Sequence, residues 1–392
     1  MLRSLFSGIS GLRSHQTMLD VTGNNIANVN TTGFKSSQIQ FQDTLSQVVQ
    51  NAGGAQDGVG GTNPAQVGLG VRVAGITTSF TQGASQLTGR STDMMIQGDG
   101  FFVVRKGAET YYTRAGSFDF DATGQMVLPG EGALVQGWAA VNGVVDTNGP
   151  VVDLSVPAGA VMPAVASTSA DYTGNLDASA AVGTSLTRAI TVYDATGVER
   201  ELELTFTKDA TGWSVAATDG TTTVPAQALV FDASGALTSP TELTVGAVAV
   251  DISTITSFAG LENVRAREQD GQAAGVLQSF ALNPDGTIVG SFSNSLKQVL
   301  GRIAIGSFTN PAGLEKAGGS LFRTTVNSGQ PQLGAAGQGG RGTLAGGALE
   351  MSNVDLSSEF TSLIVAQRGF QANSRVITTS DELLQELVNL KR

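Results

Sequence analysis

Two helix-forming seams, one at each end of the chain, constrain this sequence more than anything between them. From the start, Leu2, Leu5, Ile9, Leu12, Gln16, Leu19, Gly23 and Ile26 recur at alternating three- and four-residue steps. That is the narrow stripe of a coiled-coil type helix, not the broad stripe of a helix in a globular core. Near the other end Leu363, Phe370, Ile377 and Leu384 repeat every seven residues, with Phe360, Gln367, Ser374, Asp381 and Val388 interleaved. The interleaved set is apolar only at its extremes. Ser352-Asn353-Val354-Asp355 before this run reads as a capping box. The spacing predicts helices over 2–28 and 355–390, roughly 40 and 54 Å long at 1.5 Å per residue.

Between them the chain reads as β-structure. The block 30–90 is polar and glycine-rich, with a loose stretch from Asn51 to Gly61. Farther on, Asp-Ala-Thr/Ser-Gly occurs at Asp121–Gly124, Asp194–Gly197, Asp209–Gly212 and Asp232–Gly235. Asp-Gly or Asn-Gly occurs at Asp99, Asn142, Asp219 and Asp285. Each sets a turn-forming Asp or Asn beside a residue that tolerates positive φ. Leu202, Leu204 and Phe206 alternate with Glu201, Glu203, Thr205 and Thr207, the pattern of a half-buried strand.

A helix with so narrow a seam is marginal alone and needs a partner. If the two ends pair, the chain leaves and returns at one place, and the β-blocks must nest as insertions. The predicted class is α+β: terminal helices forming a coiled-coil-like stalk, with nested mainly-β domains between them. The expected partition has four parts. Residues 1–28 with 355–392 form the helical domain, and 29–90 with 325–354 a connecting region. A first β-domain covers 91–149 with 276–324, and an inserted one covers 150–275.

Composition excludes most chemistry. There is no cysteine, so thiolate nucleophiles, disulfides and cysteine-ligated metals are out, and the one histidine, His15, builds neither a triad nor a multi-histidine site. The net charge is −11 with no basic cluster, which argues against nucleic acid. No apolar run approaches the ~18 residues of a spanning helix, and the N-terminus lacks the apolar stretch of a cleaved secretory signal. The ends are close to neutral, so the acidic excess lies in the middle, where it keeps a crowded surface solvated. No catalytic residue, cofactor, metal or membrane insertion is expected.

Three look-alikes read as structure. Phe118–Gly124 resembles the start of a calcium loop, but the twelfth position from Asp119 is Gly130 and not a bidentate Glu, so it reads as a hairpin turn. Gly337–Gly342 fits a G-x-G-x-x-G pattern without its strand–helix setting and reads as a flexible linker. His15 reads as a residue on the polar face of the first helix.

Ser7-Gly8-Ile9-Ser10-Gly11-Leu12 and the run from Leu19 through Asn24-Asn25-Ile26-Ala27-Asn28 to Gly33-Phe34-Lys35 resemble the N-terminal signature of the bacterial flagellar rod and hook proteins. Leu349-Glu350-Met351-Ser352-Asn353-Val354-Asp355, Glu359-Phe360, Gln367–Asn373 and the ending Leu390-Lys391-Arg392 are similar to that family's closing segment. Gln66–Gly70, Gly98–Phe102, Tyr112–Gly116, Phe308–Leu314 and Ser328-Gly329 are similar to its first β-domain. Asn294-Ser295 departs from the Asn-Gly expected there. The large insertion is a feature of hook-type members.

The resemblance implies a structural subunit that polymerises into a flexible supercoiled tube joining rod to filament, exported without a cleaved signal to an extracellular hook. Its implied partners are further copies of itself, the rod, the hook cap, the hook–filament junction proteins and the flagellar type III export apparatus. Self-assembly is then expected to use Leu5, Ile9, Leu12, Leu19, Ile26, Phe360, Leu363, Phe370, Ile377, Leu384 and Val388. Asn24, Asn25, Asn28, Gly33 and Phe34 are expected to form a junction at the helix end. A distal-rod protein and, from another class, a secreted β-rich adhesin are the alternatives.

Overall fold

A computed structural model describes residues 2–54, 57–58, 60–157 and 159–390. Met1, the closing Lys391-Arg392, positions 55, 56 and 59 of the glycine-rich stretch and position 158 lie outside the described residues. The terminal helices are α1 (Leu2–Ala27) and α2 (Leu356–Leu390), and mainly-β structure fills the chain between them. The start of α2 corrects the capping-box reading. Its N-cap is Asp355, whose Oδ1 accepts from the backbone N–H of Ser357 at 2.9 Å, while Ser352 Oγ accepts from Val354 N outside the helix.

The chain divides into two compact units, one made of 1–157, 281–289 and 299–392, the other of 158–280 and 290–298. In the first, α1 and α2 pack against each other and α1 lies along a two-stranded ribbon. The ribbon is formed by Ser37–Asp43 and Val71–Thr78, with Ile39 opposite Ile76 and Phe41 opposite Val73. It continues as an exposed pair, Ser46–Gln50 with Ala65–Gly68. The core of this unit is aromatic. Phe101, Tyr112, Trp138 and Phe322 are buried together, with Phe80 and Phe308 packed on them. The rings meet edge to face at 4.8 to 5.7 Å for Tyr112–Phe308, Phe80–Phe101 and Phe101–Phe308, the arrangement their quadrupoles favour. Burial pushes the Tyr112 hydroxyl up to about 12.

The second unit is two sheets over one core. One has four strands in the order Glu242–Val245, Val248–Thr256, Ser169–Asn175, Arg265–Gln269. The other has five, Ser185–Tyr193, Glu199–Asp209, Gly212–Thr218, Thr223–Phe231 and Leu237–Ser239, joined in sequence order. Leu202, Leu204 and Phe206 are fully buried, as their alternation predicts, beside Trp213 and Tyr172. The Tyr172 hydroxyl donates to the Leu202 carbonyl at 3.1 Å, tying the two sheets together.

The repeated tetrapeptides make two kinds of turn. Asp121, Asp194 and Asp232 each accept through Oδ1 from the N–H groups two and four residues on, at 2.8 to 3.0 Å. Asp209 instead pairs with Gly212 across a two-residue hairpin loop. Ser295, where the resemblance leads one to expect glycine, adopts the left-handed conformation anyway, at φ 64°. Gly337–Gly342 is a closed loop, not a loose linker: Gly337 N donates to Gly342 O, and Gly342 N to Asp99 O at 2.7 Å.

Candidate assembly surface and helix-end junction

The helix pair is built the opposite way from a leucine seam. The most buried positions of α1 are Gly8, Gly11, Ser14, Thr22 and Asn25, all small or polar. Leu5, Ile9, Leu12, Leu19 and Ile26 flank that strip and are only half-buried. On α2, Leu363, Phe370, Ile377 and Leu384 are half-buried, whereas Ala366 and Ser380 are buried. Phe360 and Val388 stand 52% and 68% exposed, and Phe6, Ile364 and Val365 are between 54% and 64%. Small residues let two backbones approach, so the apolar side chains are left on the flanks and outside.

The contact runs antiparallel. Gly8 faces Ile377, Gly11 faces Asn373, Gly369 faces His15, and Asn25 faces Glu359. A Cβ on Gly11 would stand 2.7 Å from Asn373 Oδ1, and one on Gly369 2.5 Å from the His15 ring. His15 is thus part of the helix contact, contrary to the polar-face reading. Its ring also meets Phe41 of the ribbon at 5.9 Å, and its Nδ1 is buried without a hydrogen-bond partner.

Where α1 ends, a polar knot joins it to both β-structure and the approach to α2. Asn25 does most of this. Its amide donates to Ser37 O at 2.8 Å and to Glu359 Oε1 at 2.9 Å, and its Oδ1 accepts from Ser37 N at 3.0 Å. Asn24 and Asn28 serve a different purpose: Asn28 donates to Asn24 O at 2.9 Å and closes the last turn in solvent. Gly33 has φ 66°, and a Cβ there would sit 2.4 Å from Ala115 N, so backbone conformation and crowding both demand glycine. Phe34 lies under the Lys316 ammonium at 4.9 Å.

Beyond Gly33 lies a group that the expected junction set does not include. Lys35 and Glu350 are fully buried and 2.6 Å apart. Lys35 also donates to Thr81 O at 2.7 Å, and Glu350 Oε1 accepts from Gly83 N at 2.9 Å. Arg114, 2% exposed, reaches Glu350 Oε2 at 3.4 Å and stacks over Phe101 at 5.2 Å. Burial pushes the Lys35 ammonium and the Arg114 guanidinium down, against the pull of Glu350. Asn353 adds a fourth tie, accepting from Ser36 N at 2.8 Å and donating to Ser79 O at 2.9 Å. Lys35, Glu350 and Asn353 all lie within the signature runs at the two ends, so a signal for them was present. What the runs do not say is that they meet.

Among the described residues no helix is long and apolar enough to cross a membrane. The chemistry of this surface is packing and hydrogen bonding: a cross-linked helix root carrying a pair of helices with apolar flanks.

Four family models match in chain order. They are the flagella basal body rod protein over 5–35, the flagellar hook protein FlgE/F/G D1 domain over 95–178, the flagellar basal body protein FlaE D2 domain over 166–299 and the flagellar basal body rod FlgEFG protein C-terminal over 345–390. The flagellar hook protein FlgE of Borreliella burgdorferi is 40% identical, with all of both chains covered. That of Salmonella typhimurium is 35% identical over 99% of this chain and 100% of its own. The flagellar basal-body rod protein FlgG of Bacillus subtilis is also 35% identical with both chains fully covered. The solved structure of Helicobacter pylori flagellar hook protein FlgE2 aligns with TM-score 0.52 and 16% identity over 68% of this chain and 100% of that one, a likeness of fold. With its helical ends, its β-units and these full-length relatives, the chain belongs to the flagellar hook protein family.

Proposed function

We propose that the chain is a structural subunit of the bacterial flagellar hook, polymerising through its terminal helices into a flexible tube. One observation carries this. The helix pair spends its small and polar residues on its own contact and leaves Phe6, Phe360, Ile364, Val365 and Val388 uncovered. Each such side chain is already partly covered, so a neighbour that buries it adds about half to two-thirds of the roughly 1.5–3 kcal/mol that full burial is worth. Further copies of the chain are the proposed partners, with rod, cap, junction and export components at the ends of the tube and during delivery. In this reading 1–28 with 355–392 is the inner assembly element, 29–90 with 325–354 the connector, and 91–149 with 276–324 and 150–275 the two β-domains. The chain performs no catalysis. Its torque transmission rests on helix contacts that hold while contacts between β-domains slide.

The Bacillus subtilis relative named as a rod protein also spans the whole chain, so length does not separate hook from rod. A pelleting assay tests the shared premise. Phe360→Asp with Val388→Asp should abolish sedimentable polymer while leaving the unfolding of the β-units unchanged. Polymer of normal yield from that variant would refute assembly through α2.

A further inference from the structure

The apolar positions of α2 repeat every seven residues, so a slide of α1 by one heptad rebuilds the same apolar contacts. Those side chains therefore hold the helices together without fixing where they align. The Asn25–Glu359 hydrogen bond marks the register at the root of the pair; along the rest of the helices something else must choose it, and in coiled coils a polar group at the seam is the usual device.

We propose that two reciprocal pairs make that choice, Gly11 beneath Asn373 and Gly369 beneath His15, so that Asn373 and His15 are the register-determining side chains of the terminal helices. Each helix presents a glycine that has no room for a Cβ and, four residues away, a planar polar group, and the antiparallel alignment fits each group onto the other helix's glycine. Neither group is free to swing aside. The Asn373 amide donates to Gly369 O at 2.8 Å, and the His15 ring is backed by Phe41. After a slide of seven residues His15 would meet Val376 or Ser362, and Asn373 would meet Met18 or Ser4. All four carry side chains where a bare Cα is needed. The cost supports the reading: a glycine inside a helix is unfavourable relative to alanine, and a Cβ on either of these two would stand 2.7 Å or less from the facing side chain.

The chain has no cysteine, so a reporter pair is clean. Thr22 and Ser362 both line a cavity bounded by the two helices and the Ser37–Ile39 end of the ribbon, and Thr22→Cys with Ser362→Cys should form a disulfide rapidly in the full-length chain. Adding His15→Ala and Asn373→Ala leaves every apolar position intact and should cut that disulfide yield several-fold with the far-UV helical signal retained. Gly369→Leu alone should also cut it, and His15→Ala combined with Gly369→Leu should restore it. Unchanged yield in the His15→Ala/Asn373→Ala chain would overturn the proposal. So would joint loss of disulfide and helix, which would make these residues general stabilisers, and so would failure of the rescue. The readout lies within one chain, so it stands apart from whether the chain forms a hook tube.

Discussion

Glu350 gathers four partners at the helix root. Its carboxylate answers Lys35 and Arg114 and caps Gly83 N, while its carbonyl accepts from Gly33 N at 2.7 Å. Glu350→Gln keeps the shape and strips the charge, leaving two buried cations uncompensated. Breaking a buried pair in this way costs about 3–5 kcal/mol, and denaturant unfolding of the first unit should register it. Asn25→Ala should cost less, about 1–3 kcal/mol for orphaning the Ser37 backbone, and should free the root of α1 without touching the second unit. In that second unit Asp270 shares the acid response with Asp177, Asp194, Asp219 and Asp232, all held below the usual carboxylate range. Burial pushes its carboxyl up, but bonds from Ser169 N and from the Thr168 hydroxyl and N–H outweigh this and take it down to about 2. A carboxyl lowered from 3.8 stabilises the fold fully above that value and loses the contribution as pH falls toward 2. Asp270→Asn should therefore lower the thermal midpoint at neutral pH and flatten its fall between about pH 4 and 2.

Elements differ in how openly the sequence declares them. Both helices and the strand through Leu202, Leu204 and Phe206 are legible, because one-sided burial imposes a period. The ribbon is less so. Ile39 and Phe41 do alternate with Gln38, Gln40 and Gln42, but the polar, glycine-rich composition around them masks a five-residue signal. Which helix face turns inward was not legible, because burial of Gly8, Gly11 and Ser14 runs against hydrophobic patterning; it follows from how closely the backbones approach. The Lys35–Glu350–Arg114 group was hidden for another reason. Its members are 315 and 236 residues apart from Glu350 in sequence, and no local pattern links them. At this scale Leu12→Gln or Leu384→Gln, each half-buried on a flank, should weaken polymerisation more than unfolding. Comparing polymer yield with the thermal midpoint of the same variant checks it.

The whole molecule divides its labour by sequence region. Near-neutral ends hold the helices, and the intervening chain carries the acidic excess together with two independently cored β-units. In a subunit built this way the exposed apolar side chains of the helices are the surface offered to further copies in the proposed assembly. The form of that assembly is the deciding property of the molecule. Electron microscopy of the purified full-length chain under polymerising conditions is the direct measurement. Curved tubes with a central channel are expected, lost in the Phe360→Asp/Val388→Asp variant. Long straight filaments, or no polymer from a chain whose helices are formed, would contradict that expectation.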